Sequence, residues 1–255
     1  MARDNENAGA VIAGRNPVRE ALERGDVQFE KVYLQRGLEG RPIAQLHGLA
    51  RAAGVPVQFV PQGRLNELAG GASHQGVVAV VAPVAYLDLD DLLTSVADGI
   101  DAVRAVKPIL LMLDEIQDPH NFGAILRSAV GAGASGVIVP ERNMAPLSAT
   151  AVKSSAGAAL RIPIARVGNL AQAAIQLKER GYWVIGAAGE ATQTVWEANW
   201  DRPIVLVVGS EGTGIREGLR KACDELVAIP IRGPVESLNA SVAAGVVLFA
   251  AVRER

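Results

Sequence analysis

The stretch Ile204-Val-Leu-Val-Val208-Gly209-Ser-Glu211-Gly212-Thr-Gly214 decides how the chain is read. Five apolar residues run without alternation, and three glycines follow within six positions. A strand buried on one face alternates; one buried on both faces does not, and burial on both faces is the mark of a parallel sheet between helix layers. The glycines then turn the chain into a helical pattern. The same unit recurs on either side. Ile109–Leu113, Gly136–Val139, Tyr182–Ile185 and Leu226–Ile229 read as further buried strands, and Leu170–Arg180 as one of the helices between them. The expectation is an α/β domain with a mainly parallel sheet over residues 108–255.

Outward from there the character changes. Residues 83–107 interleave Leu87, Leu89, Leu92 and Leu93 with Asp88, Asp90 and Asp91, which reads as a linker holding a short acidic helix. Residues 11–82 read as a second, small α/β unit. A helix follows Asn16-Pro17, strands are expected at Lys31–Leu34, Val55–Val60 and Gly76–Val81, and a helix at Ile43–Ala53 ends at Gly54. Residues 1–10 are polar and read as a disordered tail, with no secretory leader.

Composition narrows the function classes. The chain has 255 residues, 49% of them hydrophobic and 20% charged, with a formal net charge of −2. A protein that coats polyanions is usually strongly basic, whereas a site-specific nucleic-acid enzyme needs only a local basic patch. The single cysteine, Cys223, excludes an internal disulfide framework and suits a reducing cytoplasm. His47, His74 and His120 show no metal-ligand spacing, so no metal is expected. The apolar run Val242–Val252 is too short to span a bilayer, and no membrane partner is expected.

Four polar or glycine-rich patterns carry candidate chemistry. Gly131-Ala-Gly133-Ala-Ser-Gly136 matches G-x-G-x-x-G, but it closes a helix and precedes a strand, the wrong context for a dinucleotide fingerprint. The Gly209–Gly214 loop leaves a strand end and enters a helix, where open α/β sheets bind ligands; no Lys-Ser/Thr follows, so it is not a Walker phosphate loop. In Asp118-Pro119-His120-Asn121-Phe122-Gly123-Ala-Ile-Leu-Arg127, the Asp-Pro pair suits a helix start, which leaves Asn121 and Arg127 without a structural reason. Six positions apart, these two lie about 120° from coincidence on an ideal helix. In Ile229-Pro-Ile231-Arg-Gly-Pro-Val-Glu236-Ser237-Leu238-Asn239-Ala-Ser241, Ser237 or Asn239 can cap the next helix, and capping alone does not account for all the polar residues.

Taken in order, Asp118–Arg127, Val207–Ile215 and Ile229–Gly245 closely resemble the motifs of the SpoU family of knotted SPOUT methyltransferases. Ala13–Leu22 and Ser73–Val81 look like the substrate-binding domain of its branch acting on guanosine 2′-OH groups of 23S ribosomal RNA. The resemblance implies a deep trefoil knot, a homodimer formed by the C-terminal domains, and S-adenosylmethionine as cofactor. It implies cofactor contacts at Gly209, Gly212, Ile229, Ile231 and Leu238. Catalytic candidates are Asn121, Arg127, Glu211, Ser237 and Asn239, with Glu211 fixing Arg127 or the loop, and Ser237 and Asn239 orienting ribose or cofactor. The N-terminal domain is expected to bind RNA through Arg15, Asn16 and Arg19. Two rival readings are a 2′-O-methyltransferase acting on transfer RNA or another ribosomal site, and a non-catalytic RNA-binding protein of the same fold.

Overall fold

The structure is a computed structural model that describes residues 10–25, 27, 29–81 and 86–253. The expected tail, apart from Ala10, and the expected boundary at 82/83 lie outside the described residues. The chain forms two compact units, Met1–Val84 with Leu147–Arg161, and Ala85–Pro146 with Ile162–Arg255.

The first unit is built on a four-stranded sheet. Its strands are β1 (Ala10–Ala13), β2 (Phe29–Gln35), β3 (Val57–Val60) and β4 (Val77–Val81), in the order β1-β4-β2-β3. β4 is antiparallel to both β1 and β2, while β2 and β3 are parallel. Helices α1 (Arg15–Arg24), α2 (Arg41–Ala52) and α3 (Gln62–Ala69) complete it. Strand β1 and helix α3 were not expected. Four residues give too short a pattern to read, and Val11–Ala13 pair with β4 residues more than sixty positions away. His74 is a buried structural residue. Its Nδ1 accepts from Gly76 N at 3.0 Å, so the ring proton lies on Nε2, 2.7 Å from Asn66 Oδ1. The segment Leu147–Arg161, with α7 (Ala149–Ser154), groups with this unit, where α7 contacts β1.

In the second unit two helices of the stretch expected as a linker contribute to the core. Helices α4 (Leu89–Val96) and α5 (Ile100–Val106) bury Leu92, Leu93 and Val103 in the same cluster as Leu110, Met112 and Val205. The Leu/Asp interleaving signals an amphipathic helix, and its apolar face packs on the sheet while its aspartates stay in water.

The sheet of this unit has seven strands: β5 (Ile109–Leu113), β6 (Gly136–Pro140), β7 (Ile164–Val167), β8 (Trp183–Ala187), β9 (Gln193–Thr194), β10 (Ile204–Val208) and β11 (Glu225–Ala228). Their order is β7-β6-β5-β10-β8-β11-β9, and every recorded pairing is parallel. All five residues of β5 and of β10 are buried, each worth roughly 1.5–3 kcal/mol relative to exposure. Helices α6 (Pro119–Gly131), α8 (Leu170–Glu179), α9 (Glu217–Ala222) and α10 (Ala240–Val252) complete the unit, with α10 packed on α6. From β5 the chain winds outward through β6 and β7, and β10 returns to β5's other side. The loops leaving β5 and β10 therefore sit side by side at a topological switch point, where open α/β sheets hold ligands.

Candidate active site

Local sequence sets each wall of the site. After β5, Asp118 caps α6 by accepting from His120 N at 2.8 Å, and Pro119 occupies the first helical turn. This places Asn121 on the first turn of α6. After β10 the chain folds back on itself: Ser210 and Gly214 exchange backbone hydrogen bonds at 3.0 and 3.2 Å, and the Ser210 and Thr213 hydroxyls lie 2.6 Å apart. The fold-back explains Gly209. A Cβ there would stand 2.1 Å from the Gly214 carbonyl carbon and 2.2 Å from its oxygen. The glycine is required by the approach of the loop to itself, where the sequence suggested the approach of a ligand. Gly212 has φ +88°, with open space around a notional Cβ.

Three of the five catalytic candidates meet in one cluster. Glu211 Oε1 accepts from Asn121 Nδ2 at 2.8 Å, from Asn239 Nδ2, and from Ala240 N at 3.2 Å. Asn239 Nδ2 also donates to Asn121 Oδ1 at 3.0 Å. Asn239 is at the same time the cap of α10, its Oδ1 accepting from Ser241 N at 3.0 Å and Val242 N at 3.3 Å. The Glu211 carboxylate thus sits at the positive end of α10, where negative charge is favoured. Beside the cluster a cavity of about 390 Å³ is lined by Glu115–Asp118 and Asn121 on one wall and Ser210, Glu211 and Thr213 on the other.

Arg127 and Ser237 do not join this cluster within the chain. The Arg127 side chain is exposed and makes no hydrogen bond or ion pair among the described residues, and within the chain Glu211 is bonded to Asn121, Asn239 and the first residue of α10. Ser237 is exposed ahead of the cap. Of the cofactor candidates, Ile229 and Leu238 are half-buried and Ile231 is 38% exposed. Apolar side chains left partly uncovered beyond a strand end suit the face of an adenine ring. In the first unit Asn16 is exposed, Arg15 Nε donates to Gln75 O at 2.9 Å, and Arg19 Nε is buried without a hydrogen-bond partner among the described residues.

Sequence reading passed over an ion pair beside the cavity. Asp114 is fully buried, and Arg216 reaches it with Nη2 at 2.6 Å and Nε at 2.8 Å; Arg216 Nη1 lies 3.3 Å from Glu115. The hydrogen bond to Asp114 raises the Arg216 pKa above its ordinary value. A carboxylate directly after an all-apolar strand was the available signal. Burial, with the nearby Asp224 charge adding to it, pushes the Cys223 thiol up to about 12, which disfavours the nucleophilic thiolate. Among the described residues, no group of three or more His, Cys, Asp or Glu is placed to hold a metal, and no helix is long and apolar enough to cross a membrane.

Residues 108–249 match the model of the SpoU rRNA Methylase family, and residues 11–87 match that of RNA 2′-O ribose methyltransferase substrate binding. The chain is 40% identical over 247 residues to the 23S rRNA (guanosine-2′-O-)-methyltransferase RlmB of Vibrio vulnificus, covering 96% of each. It is 42% identical over 248 residues to the enzyme of the same name from Escherichia coli K12, covering 96% of this chain and 98% of that one. Among solved structures it is similar to the SpoU methyltransferase AviRb of Streptomyces viridochromogenes, with a TM-score of 0.79 at 26% identity over 97% of this chain and 90% of that one. It is similar also to an AdoMet-bound rRNA methyltransferase of Sinorhizobium meliloti, with a TM-score of 0.78 at 25% identity over 97% and 88%.

Proposed function

The chain belongs to the SpoU rRNA methylase family, and from that premise we propose that it transfers a methyl group from S-adenosylmethionine to the ribose 2′-OH of one guanosine in 23S ribosomal RNA. The observation that carries the reading is the convergence of three separate motifs on one hydrogen-bonded cluster, Asn121, Glu211 and Asn239, beside a cavity at the switch point. Its relatives' names supply the substrate and the reaction. We keep the division of labour expected from sequence for the two larger parts: residues 11–82 bind the RNA, with Arg15, Asn16 and Arg19 as contacts, and 108–255 catalyse, while the helices α4 and α5 of the expected linker belong with the second unit's core. We also carry over the family's trefoil knot and a cytoplasmic location.

The cofactor supplies an electrophilic methyl on a sulfonium; this chain's task is to bind, orient and exclude water. Ile229, Ile231 and Leu238 would hold the adenine, with the backbone at Gly209 and Gly212 alongside. Glu211 engages its donors through Oε1, which leaves Oε2 as an acceptor on the cavity wall for the ribose hydroxyl. Asn121 and Asn239 hold that carboxylate in place, an orientation effect on the attacking oxygen. Ser237 would orient the ribose or the cofactor from the segment ahead of the cap. A guanidinium offers planar, charge-assisted donors, so the part of Arg127 is to position phosphate and stabilise charge.

A homodimer resolves the position of Arg127. It stands apart from its own chain's cluster, and a second copy would bring it to the other's. Helix α10 is apolar all round, with Val242 51% and Phe249 52% exposed, which leaves an outer face for a partner copy. In the direct test, Arg127→Ala binds S-adenosylmethionine with wild-type affinity by calorimetry and loses methyl transfer to rRNA. Wild-type transfer by that variant would remove Arg127 from the site.

A further inference from the structure

Asp114 grips the glycine loop at both of its ends. Its backbone N–H donates to Val208 O at 2.9 Å, immediately before Gly209. Its side chain takes the other end: Oδ2 accepts from the backbone N of Arg216 at 2.9 Å, and Oδ1 accepts from Arg216 Nε at 2.8 Å. Between these two anchors lie Gly209, Glu211 and Gly212, all of them site candidates. Arg216 carries the grip to the opposite wall through Glu115, whose Oε1 also accepts from Asn143 Nδ2 at 3.0 Å. Glu115 lines the cavity across from Ser210 and Glu211.

We propose that Asp114 and Arg216 are positioning residues: the pair sets the spacing of the two cavity walls and holds the Gly209–Gly214 loop in the form that binds cofactor. Stability alone does not account for them. Only the Asp114 carboxylate is buried while Arg216 is 48% exposed, and such pairs contribute little net stability, so the role proposed for this one is geometric. Arg216 is also committed within the chain at all three of its nitrogens. Its Nε and Nη2 are engaged by Asp114 and its Nη1 faces Glu115. The planar guanidinium reaches Asp114 through Nε and Nη2 and Glu115 through Nη1 at once, which a lysine in its place would not.

The inference rests on the reading of S-adenosylmethionine as cofactor. It is tested with three full-length variants: Asp114→Asn, Arg216→Met, and the double variant Asp114→Asn/Arg216→Gln, whose neutral side chains spare the core an unpaired charge. Calorimetry measures S-adenosylmethionine binding, and gel shift measures binding of an unmodified 23S rRNA fragment. Each single variant should weaken cofactor binding about tenfold, with the double no worse than either single, as expected for two side chains acting as one unit. RNA affinity should stay within about twofold, because phosphate contacts made elsewhere are untouched. Single variants that bind cofactor like wild type overturn the clamp, and so does parallel weakening of cofactor and RNA with a lowered Tm. If Arg216→Met does not fold, Asp114→Asn and the double variant decide by the same criteria. Absence of cofactor binding by the wild type removes the cofactor reading, and the clamp with it.

Discussion

The carboxamide of Asn239 divides its atoms between two duties. Its Oδ1 caps α10, and its Nδ2 donates to Glu211 and Asn121. From sequence, capping competed with function as the explanation of this residue; in the structure one side chain both caps the helix and joins the Glu211 cluster, so the two explanations do not exclude each other. The two duties separate by substitution. Asn239→Ser keeps a cap acceptor of nearly equal quality, so stability should change by no more than about 0.5 kcal/mol in urea unfolding, and Asn239→Ala should cost about 1 kcal/mol. The serine lacks the reach and the second donor, so methyl transfer should fall about a hundredfold, the scale of losing one preorganised donor. Full activity in Asn239→Ser would confine Asn239 to capping. At this scale residue types were readable and partners were not. Asn121 stood out because no local structural rule used it up, Asn239 had a capping reading beside the functional one, and Glu211 entered through the family resemblance, whereas the pairing of Asp114 with Arg216 spans 102 positions, which no motif spacing encodes.

Elements were legible where their pattern was long or uniform. Ile109–Leu113 and Ile204–Val208 are strands with the expected bounds, because an unbroken apolar run between turn signals has few other uses. Strand β7 went unread: Ile164 and Ala165 are buried, but Arg166 interrupts the run at the sheet's edge. The acidic helix α4 was found, but its burial was not, because a linker and a packed amphipathic helix share one composition. The glycine loop is the element on which the site depends most. Gly209→Ala would drive a methyl into backbone that cannot swing aside. It should lower stability by about 3 kcal/mol, the upper end for overpacking, and abolish S-adenosylmethionine binding. A soluble Gly209→Ala protein with wild-type cofactor affinity would show that the fold-back is not needed in the form seen.

For the whole molecule, an α/β fold with a parallel sheet followed from patterning, but the route of the chain through it did not. Hydrophobic periodicity reports which faces are buried and is blind to threading, so a knot enters through family likeness alone. Association is equally hidden, since an apolar helix reads the same whether a core or a second copy covers it. Phe249→Glu with Val242→Glu places charge on the outer face of α10, where both side chains are about half exposed. The double variant should sediment as a monomer and lose methyl transfer while each chain stays folded by circular dichroism. A dimer that persists would move the interface elsewhere. The central claim concerns the reaction itself, and mapping the product tests it most directly. Purified protein is incubated with S-adenosylmethionine and either 23S rRNA lacking the modification or bulk tRNA, and the methylated nucleoside is located by mass spectrometry of RNase fragments. The account predicts a single 2′-O-methylguanosine in the 23S rRNA and none in tRNA; methylation of tRNA alone, or of a base in place of a ribose, would contradict it.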